Sequence, residues 1–358
     1  MHICHVIGRL MGGPATSVRY LVLQQLAAGH DVTCIYGAKY ETEAEIRKVL
    51  PPPTRLVPFV VDRDISVRED GRALRALTRE LRALSPDLVH LHSSKAGALG
   101  RLACWRLGLP NVYSPRSISY LRRDVGLGTK FFHAAIEAGL ALLGGPVVAC
   151  SAGEYAAIRR LPCKVAMIPN QIDVTELDHV VGDAPMPSGP FRVVICGRIE
   201  PQKNPAMVAR LVAAAPADWE WVWVGGGSLE CLLDDLPAMQ VTGWMDRDDV
   251  LRHMHGADVL LHATAWEGMP NAVLEAMALA RPVVTTDVEG NRDLVRHGTT
   301  GFVCRDEAEI LASLRCLAED RGMGRTMGQA GRAVVLETYS PEIVTAQWSS
   351  LYASLVRA

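Results

Sequence analysis

The sequence is poor in lysine, and it carries no surplus of positive charge. Of its 37 basic residues only six are lysines, and the formal net charge is −2. A nucleic-acid partner is therefore not expected, and any anionic ligand must be held by local groups. Lys203 is the only lysine after Lys164. Either a general bias toward arginine explains this pattern, or the isolated lysine marks a site.

The patterns of disulfide frameworks, structural zinc sites and membrane spans are also missing. The nine cysteines are odd in number and include no Cys-x-x-Cys pair, so we expect reduced thiols in a cytosolic protein. No stretch of about 20 residues is apolar enough to span a bilayer. The nearest, 131–150, is interrupted by Glu137 and by a Gly-Gly-Pro turn. Residues 1–7 predict a strand rather than a signal peptide, because a basic start and a cleavage site are lacking.

Short β-rich apolar runs alternate with helical periodicity along the chain, which predicts βα units and parallel sheets. Between 173 and 190, prolines and glycines replace the periodic apolar residues, as in a linker. We therefore expect one Rossmann-like domain over 1–172 and a second over 191–338. A helix over 339–358 is expected to pack back on the N-terminal domain. The predicted fold class is α/β, with two doubly wound domains facing across a cleft.

Glycines and polar residues follow two strands of the N-terminal half. The loop after the first strand carries Gly12 and Gly13 without Gly-x-Gly-x-x-Gly spacing, so a nicotinamide fingerprint is not supported. Its glycines either bring backbone N–H groups to a ligand or form a plain tight turn. A later strand places His90 and His92 on one side, and Lys95 follows at the strand end where ligands bind in open α/β sheets. A metal site at the two histidines is an alternative, weakened because no carboxylate or cysteine lies nearby at ligand spacing.

The most informative stretch, 266–280, places two glutamates eight residues apart. Glu267 is predicted in a short loop and Glu275 in the helix that the loop opens. Pro270 suits the first helical turn, and Gly268 lets a ligand approach the backbone near free N–H groups. This combination suits a sugar diphosphate, with one carboxylate accepting from sugar hydroxyls and the other from a ribose. The alternative is an amphipathic helix with a glutamate on its solvent face.

Several segments together resemble the retaining glycosyltransferases of family 4, which have the GT-B fold of two facing Rossmann-like domains. Any one segment alone is weak, but in this order they are specific and cover nearly the whole chain. The segments are 86–97, 168–173, 197–205, 241–243, 267–284 and 298–302.

The resemblance implies a role for each matched residue. Arg198 and Lys203 would neutralise the donor diphosphate, and Glu267 would bind hydroxyls of the donor sugar, so these three are the predicted catalytic residues. Glu275 would bind the ribose. The predicted donor-binding residues are Gly12, Gly13, Gly197, Gly243, Gly268, Met269, Asn271, Glu275 and Asn291. The predicted acceptor side comprises His92, Lys95 and Arg116.

The chemistry of the reaction agrees with a role for the two cations, Arg198 and Lys203, at the donor diphosphate. A departing nucleoside diphosphate develops negative charge, which fixed cations and a helix N-terminus stabilise. Neither a metal ion nor another cofactor is therefore expected. The segments 246–248 and 62–64 match the Asp-x-Asp metal motif of the other large glycosyltransferase fold. However, 246–249 is typical of a helix start after Trp244.

Three positions depart from the family pattern. Arg116 stands where a histidine is usual, Gln171 where a glycine is usual, and 289–293 where a Gly-Gly-x-x-Glu turn is usual. The first departure leaves open how the acceptor and the 6-position of the sugar are held. Arg116 either pairs with an anionic acceptor such as a lipid diphosphate or forms a structural salt bridge. The third leaves the donor-sugar contacts open.

The resemblance predicts a metal-independent retaining hexosyltransferase acting by front-face attack. It would move a sugar from a UDP- or GDP-linked donor to a saccharide or lipid-linked acceptor in surface polysaccharide assembly. The alternatives are a nucleotide-sugar epimerase of the same fold and a non-catalytic nucleotide-sugar-binding subunit. The apolar stretch 120–143, with Arg122, Arg123 and Lys130, either rests on an anionic membrane surface or forms a solvated helix face. We thus expect a cytoplasmic protein or one peripheral on the inner face of the membrane.

Overall fold

The computed structural model describes residues 1–10, 12–62, 65–121, 123–183 and 187–356. Arg122 and Asp64, both considered in the sequence, lie outside these ranges. The chain divides into two compact units: Met1–Gln171 with Pro341–Ala358, and Ile172–Ser340.

The first unit is built on a parallel sheet of seven strands. Its strands are β1 (His2–Ile7), β2 (Asp31–Gly37), β3 (Arg55–Phe59), β4 (Leu88–His92), β5 (Asn111–Ser114), β6 (Val147–Ala149) and β7 (Val165–Met167). Their order in the sheet is β3-β2-β1-β4-β5-β6-β7. The direction of winding therefore reverses between β1 and β4, which opens a ligand-binding crevice at the carboxyl ends of these two strands.

Helices connect these strands, and the sequence pattern explains their placement. They are α1 (Gly13–Ala27), α2 (Glu43–Val49), α3 (Val67–Leu84), α4 (Ser94–Leu107), α5 (Leu127–Ala141) and α6 (Ala152–Ile158). In α3, Leu74, Leu77 and Leu81 recur at helical spacing and are buried, so one face of the helix packs on the core. Ser66 begins this helix by accepting a hydrogen bond from the backbone N–H of Glu69.

The second unit repeats the architecture with six parallel strands. They are β8 (Arg192–Cys196), β9 (Glu220–Val224), β10 (Met239–Val241), β11 (Val259–His262), β12 (Val283–Thr286) and β13 (Gly301–Cys304), in the order β10-β9-β8-β11-β12-β13. Its helices are α7 (Val174–Val181), α8 (Pro205–Ala214), α9 (Arg247–His255), α10 (Asn271–Ala278), α11 (Glu289–Arg292), α12 (Glu307–Glu319) and α13 (Arg321–Thr338). Here the winding reverses between β8 and β11, so ligands are expected beyond the ends of those two strands.

Helix α7 lies inside the segment that the sequence predicts to be a linker. Asp173 starts the helix, because its carboxylate accepts hydrogen bonds from the backbone N–H groups of Thr175 and Glu176. Leu177 is fully buried, and the helix packs against α9 within the second unit. Composition alone suggested a loop here, although Asp173 is a residue type that favours a helix start.

The C-terminal helix α14 (Pro341–Val356) belongs to the first unit. Val344, Trp348 and Tyr352 repeat every fourth residue, and their buried side chains join the core beside β1 and β4. Leu351 and Leu355 are partly buried against the same core, whereas Ile343 is 38% exposed. In the part of the chain that the structure describes, no helix has the length and hydropathy needed to cross a membrane.

Candidate active site

The loop after β8 is shaped by close backbone packing that only glycine permits. Gly197 has a φ of +127°, and its carbonyl accepts a hydrogen bond from Trp223 Nε1 at 2.9 Å. A Cβ on Gly225 would lie 2.2 Å from this carbonyl oxygen. A Cβ on Gly197 would lie 2.8 Å from Lys203 Cε, so the lysine side chain passes directly over the glycine. The absence of a side chain at Gly197 therefore leaves the space that the Lys203 side chain occupies.

Lys203 and Glu267 form a partly buried ion pair at the crevice of the second unit. Lys203 Nζ lies 2.7 Å from Glu267 Oε1, and the two side chains are 17% and 10% exposed. Gln202 Nε2 donates to the other carboxylate oxygen at 3.3 Å, and His262 Nε2 lies 3.2 Å from Oε1. The loops after β8 and β11 are thereby joined, and two of the three predicted catalytic residues, Lys203 and Glu267, lie together.

This pairing controls the charge of the glutamate. Burial by itself would raise the pKa of Glu267, but Lys203 and His262 outweigh it and lower the pKa to about 2. Burial, with Lys203 nearby, lowers the pKa of His262 to about 4. At neutral pH the site therefore holds a carboxylate and a neutral imidazole that donates to it.

Glu275 is held by a partner that the sequence analysis did not identify. It lies on α10 and is only 7% exposed, and Arg247 Nε donates to its Oε1 at 3.3 Å. Arg247 also donates to Glu176 Oε1 at 3.2 Å. Burial raises the pKa of Glu275, whereas Arg247 opposes that shift. Arg247, the first residue of α9, therefore connects this helix to the start of α7 and to the middle of α10.

The entrance to α10 is packed against the loop after β12. Pro270 is the residue before the helix, and Met269 and Asn271 are 7% and 6% exposed. A Cβ on Gly290 would lie 2.2 Å from the carbonyl oxygen of Gly268, so these two backbones touch. Asn291 is fully buried, and its Nδ2 lies within hydrogen-bonding distance of the Thr286 carbonyl, at 3.1 Å. Asn291 thus stabilises the loop after β12 by hydrogen bonding.

The predicted catalytic Arg198 and three more of the predicted donor-binding residues lie in loops or at a helix start. Arg198 is exposed at the start of the loop after β8. Gly243 follows β10 with a φ of +73°. In the first unit, Gly12 precedes α1 with a φ of 61° and a ψ of −145°, and Gly13 is the first residue of that helix. Their contacts with a donor, like those of Asn291, Met269 and Asn271, stay predictions.

The predicted acceptor residues occupy three different environments in the first unit. His92 is fully buried at the end of β4, and Lys95 forms an ion pair with Asp70 at 2.7 Å. Arg116 follows β5 and is half-buried. Of these three, only Arg116 carries a charge that forms no ion pair with a carboxylate of the described residues. The structure does not support direct contact between an acceptor and His92.

The Asp-x-Asp segments take part in ordinary structure. Asp246 precedes α9 and Asp248 lies in its first turn, which confirms the helix-start interpretation. Asp62 accepts hydrogen bonds from Tyr40 at 2.9 Å and from Lys39. The remaining aspartate of the second motif lies outside the described residues.

Three histidines form the one cluster of potential metal ligands found in the described ranges. His5 and His90 are paired in register on β1 and β4, and His92 follows two residues later. All six ring nitrogens lie within hydrogen-bonding distance of a partner: His5 bonds Gln25 and His92, His90 bonds Tyr352 and Ser114, and His92 also bonds Arg116. The cluster is thus a hydrogen-bonded network, and the sequence analysis missed His5 because it lies on a different strand.

Comparison with known proteins matches both units. The family model "Glycosyltransferase Family 4" matches residues 11–176, and "Glycosyl transferases group 1" matches residues 190–320. UDP-Gal:alpha-D-GlcNAc-diphosphoundecaprenol alpha-1,3-galactosyltransferase of Escherichia coli is 29% identical, covering 67% of this chain and 68% of its own. A GDP-mannose-dependent alpha-mannosyltransferase of Mycolicibacterium smegmatis is 28% identical, covering 81% of this chain and 78% of its own.

Solved structures show the same fold over the full length. Sucrose-phosphate synthase from Thermosynechococcus elongatus superposes with a TM-score of 0.82 at 18% identity, covering 100% of both chains. Anabaena HepE in complex with UDP-glucose gives a TM-score of 0.80 at 18% identity, covering 99% of this chain and 100% of that one.

The two Rossmann-like units and these matches define a GT-B glycosyltransferase, which confirms the predicted fold class. The chain belongs to glycosyltransferase family 4. It is a hexosyltransferase that depends on a nucleotide sugar.

Proposed function

We propose that the protein is a metal-independent, retaining hexosyltransferase that acts on a saccharide or lipid-linked acceptor in surface polysaccharide assembly. The arrangement of Lys203, Glu267 and His262 supports this proposal most directly. It presents a cation and an ionised carboxylate at the reversal point of the second sheet, where the ligand of a doubly wound domain binds. The relatives named above use UDP-galactose and GDP-mannose, and we propose a UDP- or GDP-linked donor here.

The proposed reaction replaces one bond at the anomeric carbon by another on the same face. The bond to the leaving phosphate oxygen breaks, the acceptor oxygen bonds the same carbon, and the acceptor proton passes to the leaving phosphate. Lys203 and Arg198 stabilise the charge that develops on the diphosphate. Glu267 accepts hydrogen bonds from sugar hydroxyls, and the contacts from Gln202 and His262 hold it in place beforehand.

A screen of nucleotide sugars by thermal shift identifies the donor, because a ligand stabilises the native state in proportion to its affinity. NMR of the product formed from that donor then reads the anomeric configuration, and an inverted product would refute the retaining proposal.

A rate abolished by EDTA would refute metal independence. Incubating the donor without acceptor separates transfer from epimerisation.

Replacing Glu275 with Gln is expected to weaken binding of the donor nucleotide by about tenfold or more. A hydrogen bond between a charged carboxylate and the ribose contributes about 1.5–3 kcal/mol, which the neutral amide does not match. Isothermal titration with UDP and GDP measures the change. Glu319→Gln, at an exposed position at the end of α12, is the matched control. Equal affinity of the Glu275 variant and the unmodified protein would remove Glu275 from the donor site.

We also propose that α5 contacts an anionic membrane surface, where a lipid-linked acceptor would reside. Leu127, Phe131 and Phe132 are 84%, 77% and 52% exposed. Lys130 lies on the same helix, and Glu137, its only acidic residue, is paired with Arg101 at 2.7 Å. An exposed apolar stripe beside basic residues is typical of helices that lie in a membrane interface.

The variant Phe131→Ser/Phe132→Ser is expected to reduce binding to vesicles of phosphatidylglycerol and phosphatidylcholine by about tenfold or more, because burial of a large apolar side chain contributes about 1.5–3 kcal/mol. Flotation measures the bound fraction. Trp105→Ser is the control, since Trp105 is 60% exposed on α4. If the unmodified protein stays unbound, or if both variants bind equally, α5 is not the membrane contact.

A further inference from the structure

Arg116 occupies a strained position at the ligand-binding edge of the first sheet. It lies two residues beyond β5 and has a φ of +62°, so its backbone is in the left-handed region, which residues with a long side chain rarely adopt. Such backbone strain costs free energy and concentrates at ligand-binding positions. The residue is half-buried, and its Nε is buried with no hydrogen-bond partner among the described residues.

The guanidinium has only neutral acceptors. Nη1 donates to Asn170 Oδ1 at 3.0 Å, and Nη2 lies 3.5 Å from His92 Nδ1. No carboxylate within the described ranges forms an ion pair with Arg116, so the structural salt bridge considered from the sequence is absent there. Burial lowers the pKa of Arg116. The nearby buried carboxylate of Glu154 favours the charged form of Arg116 but forms no ion pair with it. A cation partly removed from water without a directly paired anion is costly, and an anionic ligand would offset that cost.

Gln25 fixes the direction of the hydrogen bonds behind this arginine. Its Oε1 accepts from His5 Nε2 at 2.7 Å, so Nδ1 of the neutral His5 ring accepts from His92 Nε2 at 2.9 Å. His92 Nδ1 is then an acceptor for Arg116. Burial lowers the pKa of His5 to about 4 and lowers the pKa of His92 well below its ordinary value. The network therefore orients the guanidinium without neutralising it.

The same place contains further groups that suit an anion. Asn170 Oδ1 also accepts from the Ser17 hydroxyl of α1 at 3.1 Å, which ties Arg116 to the first turns of that helix. The first turn of α1 carries no acidic residue, and Gly12 in front of it provides no side-chain cap. The positive end of the helix dipole thus adds to the charge of Arg116.

We propose that Arg116 binds a phosphate group of the acceptor, so that the acceptor is a sugar joined to a lipid through a diphosphate. This inference rests on the proposed function and assigns the acceptor class. A guanidinium suits phosphate because its N–H groups form paired, charge-assisted hydrogen bonds. The donor diphosphate already has Arg198 and Lys203 in the second unit. In the first unit, Gly12 and Gly13 are the predicted donor contacts, whereas Arg116 is on the predicted acceptor side.

Farnesyl diphosphate, a short prenyl diphosphate, is the probe for this site. Isothermal titration is done with the full chain in saturating UDP, so that the donor site is filled. Arg116→Gln is expected to weaken farnesyl diphosphate binding by about tenfold or more, with the affinity for UDP unchanged. Arg106→Gln, an exposed arginine in the last turn of α4, is the control and should bind as the unmodified protein does.

Asn170→Asp provides an independent test that keeps the arginine. The new carboxylate would supply a counter-ion at the 3.0 Å contact and is expected to weaken farnesyl diphosphate binding by a similar factor. The proposal is overturned if the unmodified protein does not bind the probe, or if Arg116→Gln and Asn170→Asp bind it normally. A loss of UDP affinity in Arg116→Gln would instead assign the arginine to the donor phosphate. Probe binding that depends on Arg116 without any sugar transfer would refute the proposed function and leave the phosphate site standing.

Discussion

Replacing Lys203 with Met is expected to lower kcat by about a hundredfold or more and to destabilise the second unit by about 3–5 kcal/mol. The catalytic loss follows because an oriented cation facing developing charge contributes a factor of roughly 10² to 10³. The loss of stability has a separate origin. Glu267 would stay buried and ionised after its partner, 2.7 Å away, is removed.

The double variant Lys203→Met/Glu267→Gln separates these two effects. Without the carboxylate no uncompensated charge is buried, so most of the stability should return while transfer stays low. Urea unfolding gives the free energies, and initial rates with the identified donor give kcat. A double variant as unstable as the single one would show that the ion pair is not the cause. A single variant with kcat close to that of the unmodified protein would place Lys203 outside the reaction.

The first unit is expected to lose stability steeply as the pH falls from about 6.5 toward 4. Burial lowers the pKa values of His5, His90 and His92, that of His5 to about 4. Since the unfolded chain takes up these protons near pH 6.5, the stability is fully present above that pH and declines below it. Each histidine contributes a slope of about 1.4 kcal/mol per pH unit, so three give about 4 kcal/mol per pH unit.

Hydrogen exchange of peptides from β1 and β4 at pH 7.5, 6.0 and 5.0 reports this unit separately from the other. His5→Gln removes one titrating ring and should reduce the slope by about a third. His179→Gln, at an exposed position of α7, should leave it unchanged. A slope that does not respond to His5→Gln would mean that the folded unit already accepts protons at the cluster.

The fold was largely predictable because it rests on local periodicity. Alternating apolar runs and capped helices identify βα units, and the doubly wound order follows from them. The main error is also local. Proline and glycine follow α7 closely, so composition predicts a linker where this helix forms.

The site was predictable only in part, because its side chains meet through tertiary structure. The family pattern identified Lys203 and Glu267, which the sheet reversal brings to 2.7 Å. Arg247 could not be paired with Glu275 from the sequence, since the two lie on different helices. The link between His5 and His92 depends on the register of β1 with β4. Whether Arg116 binds a ligand or forms a salt bridge could likewise not be decided from the sequence, because the answer depends on the residues that surround it in the fold.

The position of α14 has a consequence for folding during synthesis. Trp348 and Tyr352 complete the core of the first unit, and the Tyr352 hydroxyl lies 2.8 Å from His90 Nδ1. The ribosome makes these residues after all of residues 172–340. The second unit thus has its full complement of strands and helices while the first still exposes part of its interior, which reverses the usual N-terminal-first order of maturation. A nascent chain stalled before α14 would carry a finished second unit and an unfinished first unit.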